Sequence, residues 1–149
     1  MPVKSLFLST PQFMPLAGQR ERVTRQSGPQ QLTVLMTIIY KIVPATLWHG
    51  AEQNGCFDGA PVDLADGYIH FSTAAQVRET ARRHFAGLDD LLLVSVAADR
   101  LGTALRWEPS RGGALFPHLY AALPLSAVDA VVPLVREATG DLIFPQEIA

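Results

Sequence analysis

The sequence predicts an α+β domain built on a mixed, largely antiparallel β-sheet, and three observations carry that prediction. One or two helical stretches stand among about six strand-like ones. The strand-like stretches follow one another too closely for helical crossovers, which favours antiparallel neighbours. Finally, 149 residues with 48% apolar and 17% charged side chains suit one domain with its own core, not a disordered chain or two domains.

The elements follow in order. "TIIYKIV" (37–43) is β-branched and aromatic and is stopped by Pro44, so it reads as the first strand. "ATLWHGAEQNG" (45–55) brings Leu47, Trp48 and Ala51 onto one helical face and ends at Gly55. "CFDGAPVDLADG" (56–67), with its glycines, proline and aspartates, reads as loop. "YIHFS" (68–72) alternates like a strand. Thr73 and Gln76 then have the spacing of a capping box that opens a helix, with Val77, Ala81, Phe85 and Leu88 as its buried stripe and Arg78, Arg82 and Arg83 on the wet face. "DDLLLVSVAADRLG" (89–102) holds a central strand buried on both faces over Leu91 to Val96. Further extended segments are expected at 104–113, 115–125 and 126–135, with an edge strand at 140–144.

Residues 1–35 keep neither helical nor strand periodicity, and they hold Lys4, Arg20, Arg22 and Arg25 against Glu21, whereas the remainder is net acidic. The expectation is a flexible N-terminal extension over 1–35, for which an upstream-extended start codon is one explanation, followed by a single domain over 36–149. The apolar piece "SLFLSTPQFMPLAG" is too short to span a membrane and is interrupted by prolines. A net charge of -2 gives no basic footprint for nucleic acid. The single cysteine, Cys56, allows no intramolecular disulfide, has no cation beside it to activate the thiol and reads as a loop cysteine. These observations predict a cytoplasmic protein whose partner is a small molecule rather than a membrane or nucleic acid.

Strand alternation turns Ile69 and Phe71 to one side and Tyr68, His70 and Ser72 to the other. The same rule sets Leu105 and Trp107 inward against Arg106 and Glu108, and Phe116, His118 and Tyr120 against Pro117 and Leu119. If the polar faces share one cleft, His70, Ser72, Glu108, His118 and Tyr120 converge, with Arg111 on the neighbouring glycine-rich turn. Histidine can act as acid, base or donor, and a nearby carboxylate can fix its tautomer. His70, Glu108 and His118 are therefore the candidate catalytic residues. Ser72 and Thr73 precede a helix, where free N–H groups and the helix dipole favour an anion such as pyrophosphate. Each feature also has a plain structural explanation: half-buried sheet histidines, ordinary capping and a hairpin turn. The common dinucleotide, phosphate-loop, zincin and hydrolase motifs are missing, and the histidines lack close metal-ligand spacing, so no metal is expected.

The stretches "YKIVP", "DGYIHFSTAAQV", "LLLVSVAADRL" and "LRWEPSRGGALFPHLYAALPLSAV" resemble the domain of unknown function 952 family, over about Ile39 to Phe144. The resemblance implies a bacterial protein with a split, curved sheet similar to that of ADP-ribosyltransferases and a cleft for NAD. By that analogy His70 would hold the ribose, Tyr68 or Tyr120 would stack on nicotinamide, Glu108 would polarise the ribose or nucleophile, and Arg111 with Ser72 and Thr73 would hold the pyrophosphate. "IHFS" and "WEPSRGG" depart from the usual motifs of those enzymes. Three functions stay open: an ADP-ribosyltransferase-like enzyme or NAD binder, a non-catalytic small-ligand or regulatory module, and an acid–base hydrolase using His70, His118 and Glu108.

Overall fold

The computed structural model describes residues 36–148, so the flexible extension expected over 1–35 lies outside the described residues. Strand β1 (Ile38–Pro44) is followed by α1 (Ala45–Asn54), β2 (Cys56–Phe57), α2 (Pro61–Asp66), β3 (Ile69–His70) and α3 (Ala74–His84). Then come β4 (Leu91–Ala97), β5 (Leu105–Pro109), β6 (Leu115–Leu119), β7 (Leu123–Pro124), β8 (Val128–Arg136) and β9 (Leu142–Ile143). The fold is α+β, and its strand pairings are antiparallel. One sheet has the order β1-β4-β8-β9 and another the order β3-β6-β5, while β2 and β7 form a short ribbon. The two larger sheets touch where Tyr40 and Ser72 exchange backbone hydrogen bonds, both 2.8 Å.

Burial on both faces of the first sheet explains why β1 and β4 are apolar almost throughout. Ile39 and Val43 pack with Trp48, Phe57, Ile69, Val94 and Leu119 between the sheets. Tyr40 and Ile42 pack on the other face with Val77, Ala81, Leu93, Leu134 and Phe144, under α3. Helix α1 stops at Gly55, whose left-handed conformation (φ 80°) returns its N–H to the Ala51 carbonyl. Helix α3 starts where the sequence predicts: the Thr73 N–H donates to Gln76 Oε1 at 3.0 Å, while Gln76 Nε2 donates to the Leu115 carbonyl at 2.8 Å and ties the helix to β6.

Three expectations need correction. The presumed loop 56–67 contains β2 and the helix α2, which Pro61 opens at its first turn and Gly67 closes, so the described residues hold three α-helices and not one or two. Leu88 is 48% exposed and Leu47 39%, because α3 ends at His84 and α1 turns Ala45, Trp48 and Ala51 inward but not Leu47. Trp107 is 40% exposed: β5 is an edge strand whose residues are all exposed or half-buried. Among the described residues no helix is long and apolar enough to cross a membrane.

Candidate functional site

Antiparallel pairing of β3 with β6 sets His70 directly opposite His118, and pairing of β6 with β5 sets Arg106 opposite His118. The two imidazoles therefore share a face, with centroids 5.6 Å apart in an edge-on arrangement. Tyr68 fills the space beside them, stacked on His118 at 4.2 Å and tilted against His70 at 4.6 Å and Tyr120 at 5.2 Å. Ile69 and Phe71 point the other way and are buried, so the alternation expected for "YIHFS" holds.

His70 is fixed from below by a pair of charges that the sequence reading did not single out. Lys41 shares the face of Ile39 and Val43 and so projects into the space between the sheets, where it meets Asp63 of α2 at 2.9 Å. Asp63 accepts from the backbone N–H groups of Ala60 (2.7 Å) and His70 (3.1 Å) and lies 2.7 Å from His70 Nδ1. Lys41 Nζ also donates to the His70 carbonyl at 3.1 Å. Thus the N–H, C=O and ring Nδ1 of His70 are all held by one buried ion pair, while its Nε2 lies 3.0 Å from Asp66. Burial pushes the Asp63 carboxyl up, but the hydrogen bond with His70, the Lys41 ammonium and the Ala60 N–H outweigh it and bring the group to about 2. Burial pushes the Lys41 ammonium down, and Asp63 opposes that.

A second histidine–carboxylate pair lies alongside. His118 Nδ1 is 2.8 Å from Glu108 Oε2, and the Tyr120 hydroxyl donates to the same oxygen at 2.8 Å. His118 Nε2 has no hydrogen-bond partner among the described residues, and no buried side-chain nitrogen there is unsatisfied, so Nε2 reaches solvent. The hydrogen bonds from His118 and Tyr120 hold the Glu108 carboxyl below its ordinary range. That bond to Glu108 in turn raises the Tyr120 phenol, and burial together with the charges of Asp66 and Glu108 raises Tyr68. Arg106 lies over the Tyr120 ring at 4.4 Å.

Tyr68, His70 and His118 border a cleft of about 630 Å³ whose lining comes mainly from β1, α2, β3, α3 and β6. Of the sequence-predicted site residues, Tyr68, His70, Ser72, Arg111 and His118 line it. Glu108 and Tyr120 stand behind His118 without lining the cleft. Ser72 is buried and its hydroxyl is paired with Thr80 at 3.0 Å, while Thr73 does not line the cleft and engages its N–H in the cap. Lys41, Asp63, Asp66 and His84 line it too and were missed. A lysine in the middle of "IIYKIV" was the legible signal, because a strand apolar on both faces cannot hold a charge without a buried partner. Among the described residues no group of three or more His, Cys, Asp or Glu side chains could hold a metal ion.

Residues 42–131 match the family model described as "Protein of unknown function (DUF952)". The chain is 45% identical to protein CC0527 from Caulobacter crescentus in its X-ray crystal structure, with a TM-score of 0.72 over 75% of this chain and 98% of that one. The solution NMR structure of CC0527 gives 48% identity and a TM-score of 0.65, over 71% and 91% of the two chains. No curated protein matches the chain. A family match over more than half the chain, joined to this level of identity with CC0527, means that the chain belongs to the DUF952 family.

Proposed function

We propose that the cleft is a small-molecule binding site whose ligand is NAD or its ADP-ribose part. The observation that carries the reading is the side-by-side placement of His70 and His118, with Tyr68 against both, on the wall of a 630 Å³ cleft. That volume falls in the range of about 300–1,000 Å³ usual for small-molecule sites, and convergent polar groups on an otherwise apolar lining are what such sites use for recognition. In this reading Tyr68 and His118 meet the flat ring of the ligand, His70 holds a ribose hydroxyl and Arg111 meets the pyrophosphate. The choice of NAD rests on the ADP-ribosyltransferase-like fold that the family resemblance implies and is analogy at the level of fold.

A second reading, acid–base hydrolysis, is favoured by one specific feature. If His118 donates Nδ1–H to Glu108, its solvent-reaching Nε2 is left as the proton acceptor, which is the arrangement a general base requires. One experiment separates the readings: titration of the ¹⁵N-labelled full chain with NAD, ADP-ribose and nicotinamide, with NAD consumption followed in parallel. Saturable amide shifts at Tyr68–Ser72 and His118 support the cleft, and turnover distinguishes an enzyme from a binder. Absence of shifts at millimolar ligand removes the NAD reading and leaves hydrolysis to be tested.

A further inference from the structure

The carboxylates of the cleft are already engaged: Asp63 by Lys41 and His70, and Asp66 by His70 Nε2. On another part of its lining stand a guanidinium, Arg111 on the turn between β5 and β6, and an imidazole, His84 at the end of α3. Among the described residues neither makes a hydrogen bond or an ion pair, and Arg111 lies over the Phe116 ring at 5.2 Å. Glu79 senses the charge of Arg111 without lining the cleft, and its Oε1 is held by Arg83 at 2.7 and 2.9 Å. Arg82 and Arg83 share the last turn of α3 with His84 and so answer the negative end of the helix dipole. Burial, then the charges of Arg111, Arg83 and His70, disfavour the His84 imidazolium. Arg111 thus brings to the cleft a positive charge that no carboxylate of the lining pairs with, and His84 adds an imidazole that an anion would protonate.

We propose that Arg111 and His84 form a subsite for a phosphate or pyrophosphate group of the ligand that occupies the cleft. The inference rests on the cleft being a small-molecule site, and it assigns the anion to the end of α3 instead of its start, where the Thr73 N–H is already engaged. A guanidinium offers parallel N–H donors that match two phosphate oxygens, and protonated His84 adds a third donor on the same element as Thr80. An anion favours the imidazolium over the neutral ring, so binding moves the His84 titration upward.

The test uses the full chain and the carbon-bound ring proton of His84, followed by NMR across the neutral pH range with and without sulfate, whose own charge stays constant there. The expected result is a His84 midpoint raised by about one pH unit at saturating sulfate. Inorganic pyrophosphate at fixed pH should give saturable shifts at both Arg111 and His84, weakened at least tenfold by Arg111→Gln and by His84→Gln in proteins of unchanged melting temperature. No saturable response at either residue, or a response untouched by both substitutions, overturns the proposal. Nicotinamide riboside, which lacks phosphate, keeps the two ideas apart. If it shifts Tyr68 and His118 while pyrophosphate does nothing, the anion subsite fails and the ring site stands; the reverse pattern keeps the anion subsite and removes the nicotinamide assignment.

Discussion

Asp63 shows how much one side chain can organise. It accepts from two backbone N–H groups, an ammonium and an imidazole while almost fully buried. Asp63→Asn would keep an acceptor but leave the Lys41 charge without its counterion, and breaking a buried pair in this way costs about 3–5 kcal/mol. Urea unfolding at neutral pH should show that loss; a change below about 1 kcal/mol would mean that the pair contributes no stability. Since folding lowers the Asp63 carboxyl from 3.8 to about 2, its stabilisation is complete above the unfolded value and is lost as pH falls through the folded one. The contribution is roughly 2 kcal/mol, and the acid limb of a stability–pH curve should flatten by that amount in Asp63→Asn. Glu108 offers a second test at this scale. Replacing it with Gln weakens the hydrogen bond that raises Tyr120 and removes a charge that adds to the effect of burial and Asp66 on Tyr68, so both phenols, Tyr120 more than Tyr68, should titrate at lower pH in an alkaline ultraviolet titration of Glu108→Gln. An unchanged Tyr120 would break the assigned hydrogen bond.

Elements differ in how well the sequence announces them. Helix α3 carries its own start signal in Thr73 and Gln76, and α1 its stop signal in Gly55, so both were legible locally. Helix α2 was not, because six residues are too few to show a period and the flanking Asp and Gly residues look like turn chemistry; Pro61 before "VDLAD" was the available cue. That omission hid Asp63 and Asp66, and with them half of the support for His70. The exposure of Trp107 was hidden for another reason: alternation set Glu108 on the face of His118, as found, but does not say whether the opposite face is covered. The two tryptophans make this measurable. Trp48, 2% exposed in α1, should cost about 3–5 kcal/mol when truncated to Ala, whereas Trp107→Ala should cost about 1 kcal/mol or less. Equal losses in thermal unfolding would contradict the placement of β5 at an edge.

At the scale of the molecule, the α+β class, the antiparallel sheets and the polar face of Tyr68, His70 and His118 were legible, because each follows from periodicity and chain spacing. What spans the sheets was not, since no local pattern tells which residues on β1 and α2 will meet. Lys41 grows from one sheet and ends at residues beside the other. Its wider consequence concerns alignment. A strand with apolar side chains on both faces can slide by one position and still bury oil against oil, so hydrophobicity alone marks its register weakly. In β1 a slip of one residue would bring Tyr40 or Ile42 to Asp63 and drive the ammonium under α3, stranding two charges at once. Lys41→Met combined with Asp63→Asn, which removes both charges and with them that penalty, should leave a folded protein with doubled amide signals over Ile39–Val43, and a single sharp set would show that packing alone fixes the strand. A charge within an apolar run is thereby a registration mark, which tells β1 which of its two greasy faces is which.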